Sequence, residues 1–229
     1  MIQDIDAVAF DIDGTLYPDW SFRVRLGPFL AAHAFFLIRF GEARRTIRRW
    51  QRENPGVAHD DFFAWQASVL APLLRCPDSE ARALVDRLVY GEWKGVFKRV
   101  RPYPGVTEAF MAFRQSGLKL GILSDFLPSQ KGDVWGLAPL CDAVIGSEET
   151  GALKPSPVPF LALANALGIP PSRILYVGNS PSSDVAGAKA VGMKTACIVG
   201  PVSALFGRTV PGADISFSSY RQLTQIVLK

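Results

Sequence analysis

From Arg101 onward the chain switches repeatedly between short apolar runs and stretches of helical period. "VTEAFMAFRQSG" reads as a helix stopped by Gly117, "LKLGIL" as a buried strand ending at Ser124, and "AVIGS" as a short strand. "SPVPFLALANALG" reads as a helix with prolines in its first turn and Gly168 at its end. "RILYVG" is a strand, "SSDVAGAKAVG" a helix, "KTACIV" a strand and "ADISFSS" a weaker one, and "YRQLTQIVL" is the closing helix. Such alternation predicts βαβ units, hence a parallel sheet with helices on both faces. One more buried strand, "IDAVAF", stands apart near the start.

Between that strand and the rest, from about Ser21 to Lys98, the period is helical throughout. The segments are "FRVRLGPFLAAHAFFLIRF", "EARRTIRRWQRE", "DDFFAWQASVLAPLL" and "SEARALVDRLVYGEWKGVF", with breaks at "NPG" (Asn54 to Gly56) and "CPDS" (Cys76 to Ser79). The expected fold class is therefore α/β. It is a doubly wound, Rossmann-like core of residues 1–18 and 100–229 with an inserted all-helical cap of residues 19–99. Connectors near Tyr17–Asp19 and Arg99–Pro104 would be its hinges. Sheets of this kind bind ligands beyond the carboxyl ends of their strands.

Those strand ends carry the chemistry. "VAFDIDGTLY" places Asp11 and Asp13 just past an apolar strand. Two carboxylates so close repel each other. Either a cation holds them or they decorate a surface turn. Three other strand ends also finish in polar residues: Ser124-Asp125, Lys154-Pro155, and Gly178-Asn179-Ser180 leading to Asp184. Together they make one proposal. Mg²⁺ between Asp11 and Asp184 would keep the carboxylates ionised and bridge to a phosphate oxygen. Asp11 would attack phosphorus and form an aspartyl-phosphate. Asp13 would protonate the leaving alcohol and then deprotonate the attacking water. Lys154 would supply positive charge, and Ser124 with the backbone N–H groups after Asp11 would supply hydrogen bonds. Gly14 would permit close approach to the phosphate.

The same residues carry a resemblance. "DIDGTLY", "ILSD", "KPSP" and "VGNSPSSDVAGAKAVGMKT" resemble, in order, the four motifs of the haloacid dehalogenase superfamily of phosphohydrolases. The insert resembles the helical-cap subgroup in position and length. The resemblance implies Asp11 as nucleophile and Asp13 as general acid/base, with phosphate bound by Ser124, Asp125 and Lys154. It implies Mg²⁺ held by Asp11, the Asp13 carbonyl and a fourth-motif group, Asn179 or Asp184. Asp13 points away from the dehalogenase branch, whose first motif lacks a second acid. Two positions depart from the pattern: Asn179 replaces an acid, and Asp125 replaces an amide. Asn179 should lower metal affinity. Asp125 should repel substrate unless the metal or Lys154 neutralises it.

Composition sets the remaining limits. A chain of 229 residues, 48% hydrophobic and 20% charged, suits a globular enzyme rather than a disordered tail. Residues 19–99 carry fourteen Lys/Arg against nine Asp/Glu, which would either attract an anionic substrate or form a solvated helix face. The basic run "RRTIRRW" reads as an amphipathic helix rather than a nucleic-acid site. The stretch "LGPFLAAHAFFLIRF" is too short to span a bilayer and is interrupted by His33 and Arg39. The three cysteines, Cys76, Cys141 and Cys197, show neither metal spacing nor a disulfide framework. No basic leader precedes the first strand, so a cytoplasmic location is expected. Trp20 is the tryptophan best placed to meet substrate between cap and core. The expectation is a Mg²⁺-dependent phosphatase acting on a small phosphorylated metabolite, with no nucleic-acid or membrane partner, as a monomer or homodimer. The alternatives are a phosphomutase of the same fold and a weakly active phosphate-binding regulator.

Overall fold

The first strand occupies the middle of the sheet. The computed structural model describes residues 4–200 and 207–229. Its strands are β1 (Ala7–Phe10), β2 (Lys119–Ser124), β3 (Ala143–Gly146), β4 (Ile174–Gly178), β5 (Lys194–Ile198) and β6 (Ile215–Phe217). They form one sheet in the order β3-β2-β1-β4-β5-β6, and every neighbouring pair is parallel. Phe10, the last residue of β1, pairs with Ile122 of β2 and Val177 of β4. Three strands thus end nearly together, and the polar residues that follow them converge on one rim.

Burial on both faces explains why these strands read as continuous apolar runs. On one face Phe10 stacks on Phe110 of α7 (Val106–Gln115), with ring centroids 4.4 Å apart, and Tyr220 of the C-terminal helix α10 (Tyr220–Val227) lies close by. On the other, Ala7 and Ala9 pack with Phe160 and Leu163 of α8 (Pro157–Leu167). That helix starts where the Ser156 side chain accepts the Val158 N–H, and it stops at Gly168, whose φ is +64°. "SSDVAGAKAVG" forms a π-helical stretch, Pro181–Val185, that runs into α9 (Ala186–Ala190).

The insert is helical, with the expected breaks after Glu53 and before Asp78, but it breaks at two further places and is continuous at a third. Its helices are α1 (Asp19–Arg25), α2 (Gly27–Ala32), α3 (Ala34–Glu53), α4 (Phe62–Leu74), α5 (Asp78–Val85) and α6 (Trp93–Phe97). "FRVRLGPFLAAHAFFLIRF" is not one helix: it breaks before Gly27-Pro28 and again at His33. Its end joins the next segment through Gly41, so α3 runs for 20 residues. The last predicted helix carries a π-helical stretch, Asp86–Glu92, between α5 and α6. No helix among the described residues is long and apolar enough to cross a membrane.

Candidate active site

Five elements deliver side chains to the rim. Asp11 follows β1 directly, and its N–H bonds the Val177 carbonyl of β4. Its carboxylate accepts from Lys154 Nζ at 2.7 Å through Oδ1 and from Thr15 Oγ1 at 2.8 Å through Oδ2. Lys154 also reaches Asp184 Oδ1 at 2.7 Å and Tyr176 Oη at 3.1 Å. Asp11, Lys154 and Asp184 are all buried.

One lysine cannot neutralise two buried carboxylates. The shortage falls on Asp11. Burial first, and then the like charges of Asp184 and Asp13, push its carboxyl up to about 7 against the pull of Lys154. Lys154 also loses solvation, but the two acids hold it well above its ordinary value, as a cation.

Asp13 faces the other way, as the two-residue spacing predicts. Its Oδ1 accepts from Tyr17 Oη at 2.6 Å and its Oδ2 from Lys131 Nζ at 2.6 Å. Burial first, then the Asp13 charge, raises Tyr17 so far that it stays a proton donor. Lys131 donates also to Ser124 Oγ at 2.7 Å, so it ties Asp13 to the end of β2. Ser124 is fully buried.

Asp125 meets a partner that the sequence reading did not foresee. The Arg48 guanidinium of α3 pairs with it, and the Lys154 N–H donates to it at 3.2 Å. Burial opposes its charge, but Arg48, Lys154 and Arg44 outweigh that and hold it at about 2. The extra acid is thus balanced from the insert, not only by a metal or Lys154, and it needs no compensation from Asn179.

Two glycines are fixed by close approach. A Cβ on Gly178 would lie 2.3 Å from the Asp184 Cβ. Gly14 has φ +79°, and a Cβ there would lie 2.1 Å from Asn179 Nδ2. What crowds Gly14 is therefore the fourth-motif amide, not only a phosphate.

A divalent cation fits part of the predicted ligand set. Asp184 has both oxygens engaged: Oδ1 on Lys154, and Oδ2 on the N–H groups of Asn179 and Ser180 at 3.1 and 3.0 Å. Asn179 Oδ1 has only a long 3.4 Å contact from Thr15 Oγ1, and the Asp13 carbonyl accepts no hydrogen bond among the described residues. Those two oxygens and the Asp11 carboxylate are hard donors around a carboxyl short of positive charge. The described residues contain no cluster of three acidic, His or Cys side chains that would hold a metal unaided. Mg²⁺, held in part by backbone, amide and water oxygens, is the cation such a set suits.

The seam between insert and core holds a second charged cluster. Buried Arg44 of α3 pairs with buried Glu148, which follows β3. Tyr90 Oη donates to Glu148 at 2.9 Å, and Arg44 donates to Gln66 of α4 at 3.0 Å. Arg48 Nε also donates to the Lys154 carbonyl at 3.1 Å. Two arginines of "RRTIRRW" are therefore anchors to the core rather than a solvated face. Trp20 is 67% exposed, whereas Trp93 packs between Phe22 and Phe126 beside the site. Sequence reasoning missed Lys131, Tyr17, Arg44 and Arg48.

The comparisons agree with this geometry. The family model for haloacid dehalogenase-like hydrolases matches residues 5–192, and the chain belongs to that family. It is 28% identical to a glyceraldehyde 3-phosphate phosphatase of Methanopyrus kandleri, over 83% of this chain and 82% of that protein. It is 30% identical to a phosphoglycolate phosphatase of Shigella dysenteriae serotype 1, over 83% of this chain and 79% of that protein. Among solved structures, a HAD phosphatase from Thermococcus onnurineus superposes with TM-score 0.62 at 24% identity, covering 97% of this chain and 98% of that one. L-2-haloacid dehalogenase from Xanthobacter autotrophicus does so with TM-score 0.64 at 22% identity, covering 98% of each chain. Likeness at that level shows the fold, which phosphatases and dehalogenases share.

Proposed function

We propose that the protein is a phosphatase that hydrolyses phosphoric monoesters through a phosphorylated Asp11. The observation that carries this reading is a buried carboxylate at a strand end, bonded to Lys154 and short of positive charge, with a second acid, Asp13, turned toward a cleft. A dehalogenase of this fold would have no use for Asp13, because a halide leaves without a proton. The Methanopyrus and Shigella relatives, named for phosphate esters, support the same choice.

In the first step a carboxylate oxygen of Asp11 attacks phosphorus, and the bond to the alcohol oxygen breaks. Asp13 gives its proton to that oxygen. In the second step Asp13 takes a proton from water, which attacks phosphorus and frees Asp11. Lys154 and the Ser124 hydroxyl hold the phosphoryl oxygens. Lys131 lies between Ser124 and Asp13, so phosphoryl oxygens arriving at Ser124 compete for it. Asp11, the Asp13 carbonyl and Asn179 would hold Mg²⁺, which when bound would supply the missing positive charge and keep Asp11 ionised. Asp184 orients Lys154 rather than binding the ion. Residues 19–99 act as a cap over a core of 1–18 and 100–229, and exclude bulk water.

The test is Asp11→Asn, assayed with Mg²⁺ on phenyl phosphate. Turnover should fall at least 10⁴-fold while thermal unfolding stays cooperative, and intact-mass spectra of quenched wild type should show one added phosphoryl group that the variant lacks. Wild-type rates in the variant would refute the assignment.

A further inference from the structure

We propose that the cleft leading to Asp13 receives an apolar alcohol moiety, so that the preferred substrates are phosphate monoesters of alkyl or aromatic alcohols without a second acid. The inference rests on the phosphatase reading and adds the substrate class. The cleft lies between α1, α2 and α3 of the insert and the core, and encloses about 400 Å³, toward the low end of small-molecule sites. Asp13, the group assigned to protonate the leaving oxygen, lines it, so the leaving alcohol is the group that would fill it. Its walls are Phe22, Leu26, Phe40, Trp93, Phe97 and Phe126, with Leu37 further along and half-exposed Leu30 beside them.

Charge selects against acidic substrates. Among the described residues the only charged side chains lining the cleft are Asp13, Asp19 and Arg23. Arg23 is 74% exposed and its Nε already donates to Asp19 at 2.6 Å. Of the cations deeper in the site, Lys131 is engaged on Asp13 and Ser124 and Arg48 on Asp125, while Arg44 pairs with Glu148 and keeps one buried guanidinium nitrogen unpartnered behind Phe126. A carboxylate on the leaving group would enter a net negative, largely apolar space whose described lining offers no unpaired cation to meet it. The excess of basic residues in the insert thus does not reach the cleft. An alkyl or aryl group instead buries its surface against aromatic walls, and each buried methylene favours binding about fourfold.

Two series test this. The first is kcat/KM for ethyl, butyl and hexyl phosphate and for phosphoglycolate. The second is calorimetric binding of ethylphosphonate, hexylphosphonate and phosphonoacetate, which have no ester bond and report on the cleft whether or not turnover occurs. Both should rise on the order of 100-fold from ethyl to hexyl, with the carboxylated probe weakest. Leu30→Lys, a change at a half-exposed site, should lower the hexyl-to-ethyl ratio at least threefold, with folding checked by thermal melting. A flat series, preference for the carboxylated probe, or an unchanged ratio in Leu30→Lys would overturn the proposal. Loss of the phosphatase reading would show separately, as Asp11-independent turnover or none, while the phosphonates still rank by chain length.

Discussion

Two clusters of charge, each with a buried ion pair at its heart, meet around Lys154 and Asp125, and they are built on opposite principles. At the seam, Arg44 faces Glu148 and Arg48 faces Asp125, one cation to one anion, with Tyr90 and Gln66 filling in hydrogen bonds. At the strand ends, Lys154 faces Asp11 and Asp184 together, with Asp13 nearby. The first arrangement balances and fastens the insert to the core. The second leaves a deficit of positive charge, and a deficit is what a cation or a phosphoryl group bound beside a cation can satisfy. Burial is common to both, so burial alone does not mark function; the imbalance does.

Lys154→Met is the sharpest blow to the comparison. It removes the cation shared by Asp11 and Asp184 and should cut turnover about 1,000-fold, measured with excess Mg²⁺ on phenyl phosphate. A loss under tenfold would show that the strand-end cluster does not work through its lysine. Arg44→Met probes the balanced cluster. It strands a buried Glu148 and should cost about 3–5 kcal/mol of stability by denaturant unfolding, and adding Glu148→Gln should recover part of that loss. If the single variant is as stable as wild type, the seam is not a fastening.

Acidity separates the clusters next. Because the fold raises Asp11 from 3.8 to about 7, its contribution to stability is complete below about pH 4 and is lost as pH climbs through 7. Mg²⁺ should therefore raise the melting temperature by several degrees more at pH 8 than at pH 5, at about 2–4 °C per kcal/mol, and Asp11→Asn should abolish that difference. Equal shifts at both pH values would place the ion elsewhere. The smallest expected effect is at Asn179→Asp, which adds an acid beside Asp11 and should tighten Mg²⁺ binding about tenfold by calorimetry.

The two clusters also differ in how far the sequence reveals them. Asp11, Asp13 and Ser124 stand at or just past strand ends in short motifs, so local pattern and sheet topology bring them to one rim; Lys154, expected at a strand end, instead comes after the 3-10 turn Ser147–Thr150 that follows β3. Arg44 and Arg48 meet partners that lie 104 and 77 residues away, which no local pattern shows. One hint was present: the two arginines are four apart, on the same helical side as buried Ile47 and Gln51. Lys131 ends a single 3-10 turn, Pro128–Lys131, too short to leave a pattern in the sequence, and only the folded chain shows it between Ser124 and Asp13. The quoted segments part at Gly41, a poor helix former, yet α3 runs straight through it.

The central place of β1 has a consequence for biosynthesis. Its residues leave the ribosome before those of its two neighbours in the sheet, which pair with it from Lys119 and Ile174 onward. A fully apolar segment and the pair of acids behind it must wait for most of the nascent chain before they are covered. Such long-range pairing makes for slow folding. During that interval the segment is a target for chaperones, and for aggregation where they are scarce.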